Sequence, residues 1–488
     1  MLLQKLPLAA DLCVIGGGAA GFYAAISFAE RAISNGYRKV PDILILEKSG
    51  KLLHKVSISG GGRCNVLHRH GVPQNSYPRG AKLMETLATT HGAIHSARWF
   101  ESKGVQLKTE DDGRVFPASN TSKSIVDCFL STAGSLGIKV LLSTKALTVD
   151  ANEAGFHIVE CEGTRGDNQQ NQQIHCKRLV ICTGSAQKRS VQALLRDAGA
   201  EIRPVAPSLF SLQFSTTAAS RFRGLEGVAV QDAGVKINAE KGVWKGSNLC
   251  TPQIRGPVLI THEGISGPAI LRLSAWGAYQ FQEVDYKAML DINWAPYLTE
   301  KGMVNSIMEV PGGRANQPPV RRKAVGEVSP WPGVLPARLW QRLLEHADAD
   351  GDLTSHLRQL SVFDSPGCKA ILSQTPSVPV SQWPWRFFGK AEAAQALSKV
   401  MLPRITQDQI SVAGRRTNKE EFVTAGGVDL NALDWKRMES RSRPGIHFAG
   451  EAVDVDGITG GFNFQGCWSS GYAAGVAAAD SLYPKEAH

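Results

Sequence analysis

The strongest constraint on this chain lies near its start, in DLCVIGGGAAGFYAAISFAERA (Asp11 to Ala32). An apolar run, Leu12 to Ile15, meets a glycine cluster with the spacing Gly16-x-Gly18-x-x-Gly21, and a small-residue segment, Ala19 to Ala32, follows. Four buried apolar residues, a turn and an alanine-rich helix are what a strand–turn–helix unit of a parallel sheet needs. Gly16 permits the tight turn, Gly18 lets the backbone approach a pyrophosphate, and Gly21 lets helix and strand pack closely. The first turn of the helix, with Ala19 and Ala20, then offers free N–H groups and a partial positive charge to phosphates. The same stretch, extended back to Leu6, has the apolar look of a leader or membrane span. Asp11 and the central glycines argue against both, and no other segment reaches spanning length without charges.

A second apolar run, DILILEKS, ends in Glu47, 26 residues after Gly21 against a usual spacing of roughly 20. The polar segment RAISNGYRKVPD accounts for the excess by lengthening the helix and its loop. A carboxylate at the tip of the second strand accepts hydrogen bonds from an adenosine ribose and repels a 2′-phosphate. Eleven residues on comes ISGGGRCN (Ile58 to Asn65). It has one cysteine, Cys64, and no close second one, so a local dithiol relay is disfavoured. Three glycines suit a backbone that must come close to a flat, bulky group. Arg63 could serve a phosphate or an anionic substrate, and a plain surface loop is the rival reading. His54, Cys64 and His68 lack metal-ligand spacing, so no metal is expected.

Further along, RLVICTGSA reads as a buried strand ending in Thr183-Gly184, which a doubly wound sheet would bring to the cofactor. KALTVDANEAGFHIVECEG and QQIHCKRLVIC read as strands joined by a solvated tip, TRGDNQQNQQ. The chain closes on PGIHFAGEAVDVDGITGGFNFQGCWSSGYAAGVAAADSL. There Ile446 to Ala449 form a strand ending at Gly450-Glu451, and a glycine turn, Gly457 to Gly461, opens a small-residue helix near Phe462 and Asn463. This is a second clamp: Glu451 can accept from a sugar-alcohol hydroxyl, and the helix N-terminus can face the negative charge of a reduced ring. Between the clamps, SLFSLQFS, VAVQDAGVKINAE and GPVLITHEGISGPAIL look β-rich. A Pro/Gly connector and helical pieces such as ARLWQRLLEHA follow, and DQISVAGRRTNKEEFVTAGGVDL reads as strand–turn–strand. The expected organisation is a cofactor domain over 1–204 and 425–488. A β-rich domain over 205–280 and 401–424 interrupts it, and a mainly helical insert over 281–400 interrupts that in turn.

Composition narrows the partners. With 488 residues, 43% hydrophobic and 20% charged, the chain can bury a large core, and nine scattered cysteines without a C-x-x-C pair read as cytoplasmic thiols. The net charge of +10 is dispersed, with no basic helix or finger spacing, which argues against nucleic acid and suits an anionic cofactor or substrate. No second strand–GxGxxG–helix unit is present, so a nicotinamide cofactor would bind only transiently.

Taken together, VIGGGAAG, LEK, SGGGRCN, GRVFPAS, THEGISGPAIL, TAGGVDL and FAGEAVDVDGITGGFNFQ resemble the YhiN- or BaiN-like flavoproteins, a bacterial family of FAD-dependent oxidoreductases that includes aminoacetone oxidase-like members. The resemblance covers nearly the whole chain. It implies an α/β fold: a glutathione-reductase-like Rossmann FAD domain interrupted by a β-barrel-like domain with a helical insert. It implies FAD held by Gly16, Gly18, Ala19, Ala20, Gly21, Glu47 and Lys48. The loop Ser59, Gly61, Gly62, Arg63, Cys64 and Asn65 would join them, as would Ala146, Thr183, Gly184, Gly450, Glu451, Gly461, Phe462 and Asn463. The chain departs from the pattern at Gly466-Cys467, where a bulkier pair is expected, and at His54 beside Lys55, where a basic pair is usual. The implied chemistry is hydride transfer between a small organic substrate and flavin N5, with NAD(P)H or oxygen as second partner. Family members are linked both to enone reduction and to amine oxidation. Arg63, Lys55 and His262 are acid–base candidates, none of them singled out. A non-catalytic flavin sensor and an FAD enzyme acting on tRNA are the rival classes.

Overall fold

The computed structural model describes residues 9–37, 39–151, 157–165, 168–238, 244–245, 253–312, 323–351, 353–354, 357, 359–360, 378–416 and 423–485. The chain divides into two compact units, Met1–Ser208 with Glu420–His488, and Leu209–Lys419.

The first unit is built on parallel strands β1 (Ala9–Ile15) and β2 (Ile43–Leu46). In space the parallel core runs Ile446–Phe448, Asn168–Ile181, β1, β2, Lys139–Leu141. Sequence order therefore reverses beside β1, and such a switch point is where open α/β sheets bind ligands, outside the carboxyl ends of the strands. All four residues of β2 are buried, as are Leu12 to Ile15. Strands covered on both faces read as continuous apolar runs, not as alternating ones. The long strand Asn168–Ile181 serves two neighbourhoods. Its second half pairs parallel with β1, and its first half continues an antiparallel meander with His157–Arg165 and Thr144–Ala151. That ladder extends to the pair Arg165↔Asn168, so most of TRGDNQQNQQ is strand rather than turn; 166–167 lie outside the described residues.

Helix α1 (Ala19–Ser34) packs along the C-terminal helix Phe462–Leu482 at a separation only glycine allows. A Cβ on Gly475 would stand 2.2 Å from the carbonyl oxygen of Ala24, and one on Gly471 2.7 Å from that of Ala20. This explains why both helices are small-residue segments in the sequence. Helix α2 (His54–Gly62) is regular only at its start. Ser59 is extended and Gly60 and Gly61 are left-handed, so the glycine run is the unwound end of a helix. A small sheet, Leu67–His68, Arg114–Pro117 and Leu107–Thr109, follows it.

The second unit is a closed barrel of six antiparallel strands: Leu212–Phe214, Gly264–Ser266, Ile254–Ile260, Ala229–Ile237, Ala288–Asn293 and Asp408–Arg415. Helices Glu300–Glu309, Ala337–Ala349 and Ala391–Thr406 enter between the last two strands. GPVLITHEGISGPAIL, read from sequence as strand, splits at Gly267. With φ at +100° there and Pro268 opening the next segment, the chain turns into the helix Pro268–Trp276. The segment DQISVAGRRTNKEEFVTAGGVDL does not form a hairpin. Asp408–Arg415 closes the barrel, whereas Val423–Val428 pairs with Ile202–Ser208 in the first unit, and 417–422 lie outside the described residues.

Candidate functional site

The glycine fingerprint closes the carboxyl end of β1 against the neighbouring strand. Gly16 has φ +115°, and a Cβ there would lie 2.2 Å from the carbonyl oxygen of Cys182; a Cβ on Gly21 would lie 1.9 Å from that of Gly16. Both positions exclude any side chain. At Gly18 the opposite holds: a Cβ would meet nothing within 4 Å, which leaves open space at the start of α1, where no side chain caps the helix. Ala19 and Ala20 form its first turn. Glu47 is held in place, its Oε2 accepting from Gly17 N–H and its Oε1 from Ser49 N–H, both at 2.8 Å. Lys48 beside it is exposed. Thr144 N–H donates to the carbonyl of Glu47 at 2.9 Å, which brings the strand carrying Ala146 to this end of the sheet.

Helix α2 links this corner to the second clamp. Leu53 N–H donates to Gly17 O at 2.9 Å, and Lys55 forms an ion pair with Glu451. Beyond the kink, Gly61 and Gly62 face open space. Ser59 bonds back to Val56 O at 2.9 Å. Arg63 is engaged with Glu110, with Asn120 at 3.1 Å, and with the Phe116 ring 4.0 Å below its guanidinium. Its contacts therefore go to Phe116 of the small sheet and to the turns on either side of that strand. Cys64 is fully buried, and burial pushes its thiol up to about 12. Asn65 ties the loop to the last helix: its side-chain oxygen, in the orientation that satisfies the network, accepts from Gly461 N–H at 3.0 Å, and its nitrogen faces Val115 O and Leu67 O at 3.3 Å each.

The remaining residues arrive from the next two strand ends. Thr183 and Gly184 follow Ile181, and the Thr183 hydroxyl is buried with no hydrogen-bond partner. Gly184 lies opposite Glu451, 3.7 Å from a Cβ position to Oε2. Gly450 packs on Ala20, and its N–H donates to Ser470 Oγ at 2.9 Å. Glu451 Oε1 accepts from Thr424 N–H at 2.9 Å. Asn463 closes the glycine turn with two 2.8 Å bonds to Gly457, and the Phe462 ring stacks on His68 at 4.8 Å. The first unit thus brings the expected residues into one run of strand ends and helix starts. His262, on an exposed turn of the barrel unit, stands outside that unit. Sequence reading missed Lys55 and Thr424 as partners of Glu451, and it missed Tyr77, Arg79 and Asp456. Their signals are isolated residues without periodicity or spacing.

These residues fit FAD. Open space at Gly18, Gly61 and Gly62, two helix N-termini, an anchored carboxylate at a strand tip and an orphaned threonine hydroxyl are what a dinucleotide with a flat ring would fill and satisfy. Residues 10–477 match the family model described as the HI0933-like protein Rossmann domain. The chain belongs to the HI0933-like family. This HI0933-like chain is similar to the ribosomal RNA dihydrouridine synthase of Escherichia coli (strain K12), 26% identical over 95% of this chain and 96% of that one. It is also similar to the 3-dehydro-bile acid delta(4,6)-reductase of Clostridium scindens, 24% identical over 96% and 98%. Among solved structures it matches the 3-ketosteroid-delta4-(5alpha)-dehydrogenase of Rhodococcus jostii RHA1 at 13% identity and a TM-score of 0.45, covering 98% of each chain. The HI0933-like chain is an FAD-binding flavoprotein and an oxidoreductase. Among the described residues, no helix is long and apolar enough to cross a membrane and no group of His, Cys, Asp and Glu could hold a metal ion.

Proposed function

We propose that this flavoprotein is a reductase that saturates a carbon–carbon double bond conjugated to a carbonyl in a small cyclic substrate, with NAD(P)H as donor. The observation that carries the reading is the site's lack of a thiol relay. Cys64 on the glycine loop and Cys467 beside Gly450 are both held as thiols by burial, which supports electrons entering and leaving at the flavin itself. Bound FAD supplies two-electron hydride chemistry at N5. The chain's residues bind and orient it in a glutathione-reductase-like manner. Glu47 takes the adenosine ribose, the first turn of α1 takes the pyrophosphate, Thr183 and Glu451 take ribityl hydroxyls, and Ser59–Asn65 and Gly461–Asn463 border the ring. The names of two relatives, a dihydrouridine synthase and a delta(4,6)-reductase, both denote double-bond saturation, which favours a reductase over an amine oxidase. NAD(P)H would bind transiently over the ring, since only one dinucleotide fingerprint is present.

The test is anaerobic stopped-flow. NADH or NADPH should bleach the bound flavin, and a conjugated enone should restore its colour faster than buffer does. Bleaching by an amine but by neither nicotinamide would overturn the reading in favour of an oxidase. A second reading, uridine in RNA as the substrate, is favoured by the net charge of +10, most of which falls within 209–419. It expects RNA, and not enones, to reoxidise the flavin, with binding that weakens steeply with salt.

A further inference from the structure

A loop far from the glycine fingerprint grips the second clamp at four points. Ser76 O accepts from Ile458 N–H at 2.9 Å. The buried Tyr77 hydroxyl donates to Phe462 O at 2.8 Å, on the first residue of the C-terminal helix. Arg79 forms a two-pronged ion pair with Asp456, through Nε and Nη2, and the two residues also bridge through their backbones. Gly80 lies so close to Val455 that a Cβ would stand 2.5 Å from its Cγ2. The Asp456 side chain is 0% exposed and that of Arg79 13%. A third bond, from Ser208 Oγ at 2.8 Å, completes the set around Asp456.

A planar guanidinium on a carboxylate fixes orientation as well as distance. Burying such a pair is a poor route to stability, because desolvation offsets most of the attraction, whereas fixing one geometry is a use for which buried pairs are suited. The segment so fixed, 454–462, sets where Gly461 and the first turn of the last helix sit. We propose that Arg79, Asp456 and Tyr77 are positioning residues for the flavin: they hold the N-terminus of the helix Phe462–Leu482 where its partial positive charge stabilises the reduced ring. This rests on the reading that Gly461–Asn463 border the ring. A helix end has its electrostatic effect within one turn, so a small displacement weakens it.

The experiment uses the holoenzyme and two conservative variants, Arg79→Lys, which keeps the charge and loses the fork, and Tyr77→Phe, which removes one hydroxyl. Arg31→Lys is the control. Arg31 pairs with Asp480 at 2.6 Å at the far end of the same two helices, so it reports generic loss of packing. FAD release, followed by flavin fluorescence, should be about tenfold faster in the first two variants. Their flavin midpoint potential should fall by about 30 mV, equivalent to a tenfold loss of preference for the reduced form. Arg31→Lys should leave the potential unchanged. Wild-type potential in both Arg79→Lys and Tyr77→Phe, or an equal shift in Arg31→Lys, would overturn the proposal. Wild-type protein that retains no FAD would instead overturn the reading beneath it.

Discussion

At Cys64 the backbone is left-handed, with φ +58°, and the side chain has no contact with solvent. A thiol there is held as S–H by burial, with a pKa of about 12. Cys64→Ser should therefore keep stoichiometric FAD and wild-type turnover, at a stability cost of about 1 kcal/mol for the buried hydroxyl. Iodoacetamide at pH 8 should leave Cys64 unmodified in the native protein, as read by peptide mass spectrometry. Loss of turnover with FAD retained would show that the sulfur takes part. The same scale shows what a sequence can and cannot disclose. Gly16, Gly18 and Gly21 are legible because their spacing lies within one short stretch between an apolar run and a small-residue helix, although the carbonyl that excludes a side chain at Gly16 belongs to the distant Cys182. Arg79 and Asp456, 377 positions apart, carry no local signature; only the fold makes them neighbours.

Among elements, the contact between α1 and the C-terminal helix depends on glycine. Gly475→Ala places a methyl 2.2 Å from Ala24 O, on backbone that cannot rotate away, so the two helices must separate. Overpacking of this kind costs about 1–3 kcal/mol. Gly134→Ala, in the exposed last turn of the helix Lys123–Ser135, meets nothing within 4 Å and should be neutral or stabilising by up to about 1 kcal/mol. Thermal unfolding of the two variants side by side checks the contrast; equal melting temperatures would sink it. Helices and parallel strands of this kind are readable because their small or apolar runs are contiguous. Strand partnership is not, and the fate of Asp408–Arg415 and Val423–Val428 shows why. Both have strand composition and a plausible turn between them, yet one closes a barrel and the other pairs with Ile202–Ser208. Alternation and propensity are properties of one strand, whereas pairing depends on residues some two hundred positions away.

For the whole molecule, acid should weaken the FAD-binding unit through three histidines buried in their neutral form. Burial, with His95 alongside, lowers His91 to about 3. Burial and the guanidiniums of Arg443 and Arg178 lower His157 to about 4. Burial also lowers His447 to about 4, against the opposing pull of Arg437 O and Glu439. In the unfolded chain each titrates near 6.5, so between 6.5 and the folded values the unfolded state binds more protons and stability falls as pH falls. Asp454 and Asp456, whose carboxyls burial raises, act in the opposite sense and blunt the loss at the acid end. His447 is the cleanest to test. Its Nδ1 donates to Arg437 O at 2.9 Å, while its buried Nε2 has no partner and faces a neighbourhood rich in arginine, with Arg437 and Arg178 nearby. Its full contribution is on the order of 3 kcal/mol. His447→Asn keeps a donor for the Arg437 carbonyl and removes the titrating ring. Urea unfolding of the FAD-saturated protein at pH 7.5, 5.5 and 4.5 should show wild-type stability dropping at each step. The His447→Asn variant should start lower, because the smaller side chain leaves a void, and should lose less from one pH to the next. Parallel pH profiles for the two proteins would mean that His447 does not carry the acid sensitivity.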